Sequence, residues 1–309
     1  MAHIPVLYEK TLELLDIPAR GVFLDMTLGG FGHGRGICEL LGEGGVYIGL
    51  DLDSQAIERA QSLSEGLKCK THFIKANFHD FADVLEDLGI KTIDGCLADL
   101  GVSSFQIDEA ERGFSFSQNG PLDMRMDNTG GISAADIVND YSEERLKKLL
   151  YEYGEEKYAP LIAKAIAKQR KIAPIETTGD LARVIEGAVP PSYRYRGRNA
   201  CAKTFQALRI EVNGELEGLK ETLTGLCDYL NTGARMAVIS FHSLEDRIVK
   251  KTFAELSKTE DGSRDLPALP DAIKPKLKLI TRSAVKPSQE EIEINVRSRS
   301  AKLRVVQKI

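Results

Sequence analysis

The sequence predicts an α/β fold in which a mostly parallel β-sheet is interrupted by a long all-helical insert. Apolar runs with strand character alternate with helical patterns over residues 22–99, an arrangement typical of βαβ units. Residues 133–230 then show only helical periodicity. A buried-strand pattern returns at residues 233–241, so the helical segment lies between strands of one sheet.

The first predicted strand is followed by a glycine-rich turn. Apolar residues 22–24 end at Asp25, and residues 37–41 open a helical pattern. Five glycines lie between them: Gly29, Gly30, Gly32, Gly34 and Gly36. Glycine tolerates positive φ and lets a ligand approach the backbone, while the first turn of a helix offers free N–H groups. We interpret this turn as the binding site of a nucleotide-like cofactor; a tight turn without a ligand is the alternative.

Acidic residues stand at the predicted ends of three strands: Asp25, Asp51 and Asp99. Because the carboxyl ends of parallel strands meet at one edge of a sheet, we predict that the three acids share a site. A carboxylate at the position of Asp51 suits the two hydroxyl groups of a ribose. The acid at the first strand end and the G-x-G-x-G-x-G spacing favour the positively charged S-adenosylmethionine over the pyrophosphate of NAD.

Local patterns predict the other elements in chain order. Helices are predicted over residues 4–15, 55–63 and 81–88, and strands over residues 46–50, 71–75, 93–98, 277–280 and 303–306. Helix N-caps are predicted at Ser54, Ser133, Ser142 and Thr178, and one long helix is predicted to carry apolar residues from 205 to 226. The sheet thus has five strands in βα alternation and a closing pair.

The composition is that of a globular protein, with 42% hydrophobic residues. No run approaches the roughly eighteen apolar residues of a membrane span, and the N-terminus lacks the pattern of an export signal. We therefore expect a cytoplasmic protein with no membrane partner. The five cysteines are scattered without a Cys-x-x-Cys pair, which indicates neither a metal site nor a disulfide framework.

Basic residues are concentrated in two segments, although the net charge is −5. Residues 274–309 carry ten Lys or Arg against three Glu. Residues 190–209 contain no acid and carry five basic residues: Arg194, Arg196, Arg198, Lys203 and Arg209. Such patches bind phosphates even on an acidic protein, and a solvated face is the alternative interpretation.

Five sequence blocks, in this order, resemble the signatures of one family. They are Asp-Leu-Gly-Val-Ser-Ser (99–104), Arg-Gly-Phe-Ser (112–115), Gly-Pro-Leu-Asp-Met-Arg-Met-Asp (120–127), Thr-Phe-Gln-Ala-Leu-Arg-Ile (204–210) and Ser-Phe-His-Ser-Leu-Glu-Asp-Arg (240–247). The family is that of the bacterial 16S ribosomal RNA cytosine-N4 methyltransferases, also called methyltransferase H or MraW. The resemblance runs essentially end to end and implies a Rossmann-like class I methyltransferase sheet.

The resemblance also implies a set of cofactor contacts. It places Phe31, Gly32 and His33 around the methionine end of S-adenosylmethionine, Asp51 at the ribose, Phe78 against the adenine, and Asp99 and Gln106 at further contacts. The turn and strand-end patterns add Asp25 and Gly30 to this set. Family members commonly have a small residue at the position of Phe31. For Phe78, packing in the core after a helix N-cap is the alternative.

The implied activity is methylation of the exocyclic N4 of one cytidine in the decoding (P-site) region of 16S rRNA. Residues 1–107 and 215–309 would form the S-adenosylmethionine-binding methyltransferase domain, and residues 108–214 an inserted helical, RNA-substrate domain. The partner would be 16S rRNA in the small ribosomal subunit, and a homodimer is possible. Two rival functions stay open: methylation of a protein or small molecule, and a non-catalytic role in ribosome assembly.

The chemistry requires a group that accepts a proton from cytosine N4. This nitrogen is a poor nucleophile because its lone pair is delocalised into the ring, and a hydrogen-bond acceptor for N4–H would restore part of its nucleophilicity. The candidates are Asp99, Ser103 and His242. A lone histidine after a strand is also commonly structural.

Substrate contacts are predicted in two segments of the insert. Asp123 and Arg125 either shape the target pocket or form an ordinary ion pair in a loop. A base within folded RNA must be unstacked before it can be reached. The segment with Arg194, Arg196 and Arg198 is the predicted RNA platform.

Overall fold

Seven strands form one sheet in the computed structural model, which describes residues 5–194, 200–258 and 275–309. The strands are β1 Val22–Asp25, β2 Val46–Asp51, β3 Lys70–Lys75, β4 Ile93–Asp99, β5 Leu230–Ser240, β6 Leu277–Leu279 and β7 Lys302–Lys308. Their order is β3-β2-β1-β4-β5-β7-β6. Strands β1 to β5 pair in parallel, and β7 is antiparallel to both β5 and β6. The predicted α/β class and the closing strand pair are confirmed.

Helices connect these strands and fill the interval between β4 and β5. They are α1 Tyr8–Leu15, α2 Gly32–Leu41, α3 Ser54–Leu63, α4 Phe81–Asp87, α5 Ser104–Asp108, α6 Ala134–Asp140, α7 Glu143–Glu152, α8 Ala159–Gln169, α9 Thr178–Ala188, α10 Pro191–Arg194, α11 Ala200–Asn213, α12 Leu219–Tyr229, α13 Ser243–Leu256 and α14 Gln289–Ile294. Within the described ranges, none of them is both long and apolar enough to cross a membrane.

The chain divides into two compact units. The first comprises Met1–Gly101 and Glu217–Ile309 and contains the sheet. The second, Val102–Leu216, contains α5 to α11 and an isolated bridge between Pro121 and Thr177. For comparison, the inserted domain predicted from the sequence begins at residue 108 and ends at residue 214.

The sheet of the first unit is buried on both faces. Successive residues of β5 enter two different core clusters: Met236 and Val238 join one, and Ala237 and Ile239 join the other. Side chains of a strand point alternately to opposite faces, so a continuous apolar run of this kind is required where helices cover both sides of a parallel sheet.

The second unit has a hydrophobic core of its own. Leu146, Leu149 and Leu150 of α7 are buried in it, together with Ile162 and Ile166 of α8. Their spacing places each set on one face of its helix, as the sequence predicted. The predicted N-caps Ser133 and Ser142 are also confirmed, since each side chain accepts a backbone N–H of the first helical turn.

The prediction that Thr178 caps α9 is wrong by one residue. Thr177 is the cap: its backbone is extended, and its hydroxyl oxygen accepts the N–H of Asp180 at 3.1 Å. Thr178 is already helical and fully buried, and its hydroxyl group instead bonds the backbone of Gln118 and Gly120. Both threonines fit a cap pattern by sequence, and only the long-range contacts of Thr178 decide between them.

The single long helix predicted through residues 205–226 is also wrong. It is two helices, α11 and α12, separated by a turn in which Gly214 and Gly218 have φ of 60° and 69°. Glycine adopts this left-handed conformation without the steric penalty of other residues. The amide of Asn213 donates to the carbonyl groups of Arg209 and Met124, which fixes the end of α11. The apolar periodicity continues across the turn and therefore concealed it.

The cap of α3 supplies a test of the local structure. The sequence predicted Ser54, but the structure shows that Asp53 caps this helix, with its carboxylate accepting the N–H of Gln55 at 3.1 Å. We expect Asp53→Ala to lower the free energy of unfolding by about 1 kcal/mol. The control Ser54→Ala, at an exposed position, should change it by less than about 0.5 kcal/mol. Urea unfolding of both variants measures the difference, and equal effects would contradict the assignment.

Candidate active site

The glycine-rich turn joins β1 to α2 at the point where the strand order of the sheet reverses. Strand β1 lies between β2 and β4, so the chain runs from β1 to one side and later returns on the other. The turn stays attached to both neighbours: the N–H of Met26 donates to Leu97, and the N–H of Leu28 donates to Leu50. In open α/β sheets, ligands bind at such a switch point, beyond the carboxyl ends of the strands.

Asp25 lies beneath this turn and is 1% exposed. Its carboxylate accepts hydrogen bonds from the Tyr47 hydroxyl at 2.7 Å and from the backbone N–H of Thr27 at 3.1 Å. Burial raises the pKa of Asp25 to about 7, although these two hydrogen bonds act in the opposite direction. Asp25 therefore supports the turn from inside, and its direct contact with a cofactor stays a prediction.

Phe31 ends the turn in a left-handed conformation, with φ of 61°. Its side chain is 1% exposed and packs edge-on against Tyr47 and Phe73, with ring centroids 5.7 and 5.2 Å apart. Positive φ strains a bulky residue, so the packing of the ring must hold Phe31 in this conformation. Because the ring lies in the core, a contact of Phe31 with the methionine end of the cofactor would involve its main chain.

Three of the five glycines serve packing in this structure. A Cβ atom on Gly34 would overlap the Tyr47 hydroxyl and the Phe31 ring, and one on Gly36 would overlap the Tyr8 hydroxyl. Both glycines therefore let α2 lie close to neighbouring aromatic side chains. Gly30, within the turn, and Gly32, at the start of α2, are half-buried and remain the predicted contacts for a ligand, although a Cβ atom on Gly32 would also overlap the Pro5 ring.

His33 and Asp99 form a pair at the end of β4. The Nδ1 atom of His33 lies 3.4 Å from Asp99 Oδ2, and its Nε2 is 3.0 Å from the carbonyl oxygen of Val6. Burial lowers the pKa of His33, but the hydrogen bond with Asp99 and the negative charges of Asp99 and Asp25 outweigh this effect and raise it overall. The imidazole thus holds one oxygen of Asp99 and is itself fixed by the main chain.

The other oxygen of Asp99, Oδ1, is buried and has no hydrogen-bond partner in the described part of the chain. A buried polar atom without a partner carries a free-energy penalty and needs an explanation such as a ligand. The backbone N–H of Asp99 donates to Thr27 Oγ1 at 2.6 Å, which ties this strand end to the glycine-rich turn. These residues fit a cofactor or substrate that brings a hydrogen-bond donor to Asp99.

Asp51, at the end of β2, is bonded to the same turn. Its carboxylate accepts the N–H of Gly29 at 2.8 Å and the N–H of Asp53 at 2.9 Å. Burial raises the pKa of Asp51 to about 6. Phe78, just beyond β3, is half-buried with its ring centroid 4.1 Å from that of His79. The ribose and adenine contacts proposed for Asp51 and Phe78 stay predictions.

Ser103 and Gln106 bond each other at the start of α5, in the second unit. The Gln106 N–H donates to Ser103 Oγ, and the Ser103 N–H donates to Gln106 Oε1, so the two residues form a reciprocal capping box. Gln106 is 5% exposed. This local role explains both residue types, and their contact with cofactor or substrate remains to be tested.

His242 has a clear structural role at the start of α13. Its Nδ1 accepts the N–H of Glu245 at 3.4 Å, and its Nε2 lies 3.1 Å from Glu245 Oε1. The histidine side chain is 6% exposed, and that of Glu245 is 1% exposed. The structure therefore favours capping as the reason for a histidine after β5, while its participation in catalysis stays untested.

Asp123 and Arg125 form the ion pair that the sequence left as an alternative. Arg125 donates through Nε and Nη2 to both oxygens of Asp123, at 2.9 and 2.6 Å. Burial opposes ionisation of Asp123, but the hydrogen bonds from Arg125 outweigh it and lower the pKa of Asp123. Arg112, which the sequence analysis did not single out, holds the loop by donating to the carbonyl groups of Arg125 and Met126.

The predicted RNA platform lies largely outside the described residues. Arg196 and Arg198 fall in the undescribed range 195–199, and Arg194 is described only as the last residue of α10, without its side chain.

Two residues that hold the site were missed by sequence reasoning, Tyr47 and Thr27. Tyr47 stands in an otherwise apolar strand, and a buried phenol normally needs a hydrogen-bond partner. This signal was available in the sequence and points to a polar group on a neighbouring strand. Thr27 offered no such signal, because its partner is a backbone N–H from residue 99.

The fold and the site define an α/β protein with a candidate cofactor site at the switch point of its sheet. Relatives named ribosomal RNA small subunit methyltransferase H are 45% identical to this chain in Clostridioides difficile, covering 99% of both chains, and 44% identical in Brevibacillus brevis, covering 99% and 98%. TrmN from Thermus thermophilus aligns with 98% of this chain and 48% of its own, at 13% identity and a TM-score of 0.42.

The model of the MraW methylase family matches residues 1–309, and the chain belongs to this family. The family recognised from the five sequence blocks is thereby confirmed. S-adenosylmethionine is the cofactor of such a methylase, as the turn and the strand ends predicted. Which side chains touch it is a separate question, addressed by the proposals below.

Titration of Asp25 should make the cofactor-free protein less stable as pH rises. The pKa of Asp25 is about 7 in the folded state against an ordinary value of 3.8. Between these values the folded state binds a proton that the unfolded state lacks, so the free energy of unfolding falls as pH increases towards 7. Asp25→Asn removes this titration while it keeps a hydrogen-bond acceptor for Tyr47. Urea unfolding between about pH 4 and pH 8 should show a shallower decline in the variant.

The comparison with wild type controls for other groups. Asp51, with a pKa of about 6, titrates in both proteins and cancels in the difference. Parallel pH dependences of wild type and variant would show that Asp25 does not take up a proton on folding.

Proposed function

We propose that this protein uses S-adenosylmethionine to methylate the exocyclic N4 of a specific cytidine in the decoding (P-site) region of 16S rRNA. One observation carries the proposal: its similarity to enzymes named for small-subunit rRNA extends over 99% of both chains. That span includes the insert as well as the sheet, so the similarity is not confined to the part of the chain that contains the glycine-rich turn. The five sequence blocks point to cytosine N4 and to the decoding region.

The protein has little covalent chemistry to perform. When bound, S-adenosylmethionine supplies a methyl group already activated by the sulfonium charge. The protein must hold N4 in line with that methyl group and accept the proton that N4 releases. In our proposal the backbone around Gly30 and Gly32 receives the methionine end, Asp51 accepts the ribose hydroxyls, and Phe78 covers the adenine. His33 and Gln106 complete this cofactor site.

Asp99 is our first choice for the proton acceptor. It stands at the switch point, its side chain is 26% exposed, and its Oδ1 has no partner in the described structure. His33 would fix the carboxylate through Oδ2, so that its orientation does not depend on the substrate. Ser103 and His242 are weaker candidates, because the hydroxyl of Ser103 and the imidazole of His242 already cap helices.

The insert would bind RNA and shape the pocket for the target base. The rigid Asp123–Arg125 pair is proposed to form one wall of that pocket, and the segment with Arg194, Arg196 and Arg198 to contact phosphates. Both assignments follow from residue chemistry in the sequence.

Methyl transfer to undermethylated small ribosomal subunits tests the reaction and the acceptor together. We expect label from S-adenosylmethionine to appear as N4-methylcytidine after nuclease digestion and nucleoside analysis. Asp99→Asn should lower kcat at least about 100-fold, since general-base catalysis contributes roughly 10²–10⁴-fold. Ser103→Ala and His242→Gln should lower it less than about tenfold, because their roles are structural.

Three other outcomes would contradict the proposed reaction or the proposed acceptor. Label found only in protein would favour the rival methyltransferase function, and cofactor binding without transfer to any acceptor would favour the assembly factor. A large loss of kcat in His242→Gln at unchanged stability, with Asp99→Asn active, would move the acceptor to His242.

A further inference from the structure

A second basic surface lies on the insert. Residues 157–175 contain five Lys or Arg and no Asp or Glu. One of them, Arg170, is committed to the interior, where it donates to two main-chain carbonyl groups. The charges of this segment are spaced along a helix and do not form a continuous run in the sequence.

Three of these cations have no compensating charge. Lys164 and Lys168 are four residues apart on α8, so they share one face of the helix. Lys171 lies in the turn just after α8, and all three side chains are exposed. Within the described ranges, none of the three makes an ion pair, in contrast to the lysines of α7. Their charge is therefore available to an external anion.

A hollow of about 280 Å³ adjoins the start of α8. Its lining combines cations, acids and one aromatic ring: Glu144, Lys147, Lys148, Tyr151, Glu152, Lys157 and Pro160. Tyr151 is 67% exposed. Lys147 and Lys148 pair with glutamates at 3.1 and 4.0 Å, but exposed pairs of this kind contribute little free energy and leave the lysines open to competition by phosphate.

We propose that the α8 surface, consisting of Lys164, Lys168, Lys171 and this hollow, binds the sugar-phosphate backbone of the rRNA substrate, with a base stacked on Tyr151. The assignment rests on the proposed function. Uncompensated lysines on one helix face are suited to phosphates, which position a nucleic acid without reading its sequence. An exposed aromatic ring among cations is the arrangement by which proteins hold unpaired nucleotides.

If the α8 surface binds the rRNA, replacing its lysines should weaken binding of the substrate without slowing methyl transfer. In the full-length enzyme, Lys164→Gln, Lys168→Gln and Lys171→Gln combined should raise KM for undermethylated small subunits about tenfold, with kcat and KM for S-adenosylmethionine unchanged. The slope of log KM against log salt should fall by about two to three, since each phosphate contact contributes about 0.7–0.9. The control replaces three exposed lysines elsewhere, Lys68, Lys70 and Lys91, with Gln. It should change KM for the subunits less than twofold and leave the salt slope unchanged.

Variants of Tyr151 test the proposed base stacking separately from the lysines. Tyr151→Ala should raise KM for the subunits about fivefold or more through lost stacking, while Tyr151→Phe, which keeps the ring, should leave it unchanged. If wild type methylates the subunits and the α8 triple variant matches its control in KM and salt slope, the α8 surface is overturned and the proposed function stands. If wild type fails to methylate subunits under any salt condition, both fall.

Discussion

The hydrogen bond from the Tyr47 hydroxyl to Asp25 is the interaction on which the glycine-rich turn depends. It joins the end of β1 to β2 at 2.7 Å inside the core, and the second oxygen of Asp25 holds the backbone of Thr27. A carboxyl group buried here without these donors would carry a large desolvation penalty. The turn is therefore built on a polar contact within an otherwise apolar sheet, and Gly34 is required because any side chain there would displace Tyr47.

Hydrogen bonds also join the other two acids, Asp99 and Asp51, to the glycine-rich turn. Thr27, held by Asp25, accepts the N–H of Asp99, and Asp51 accepts the N–H of Gly29. Each strand end is thus bonded to the turn that follows β1, so the three acids are arranged before any ligand arrives. Such preorganisation matters for a reaction whose activated methyl group comes with the cofactor, because alignment is the main contribution left to the protein.

The insert has a buried core and exposed basic residues on different faces of its helices. It has its own hydrophobic core, formed mainly by α6 to α9 and α11, and it presents side chains that contribute little to that core. Lys164 and Lys168 lie on the face of α8 opposite its buried residues, as expected for an amphipathic helix. In our proposal this helical unit contacts the sugar-phosphate backbone of the rRNA, whereas the sheet holds the small cofactor.

The sequence by itself determined the seven strands, the glycine turn, the acids at three strand ends and the caps at Ser133 and Ser142. These features are encoded in local periodicity and in residue types next to element ends, which is why they could be predicted. Only the tertiary structure decided that Tyr47 encloses Asp25, that the Phe31 ring enters the core, and that Oδ1 of Asp99 lacks a partner. Each of these depends on residues far apart in the chain, whose meeting is fixed by strand order and packing and leaves no local pattern.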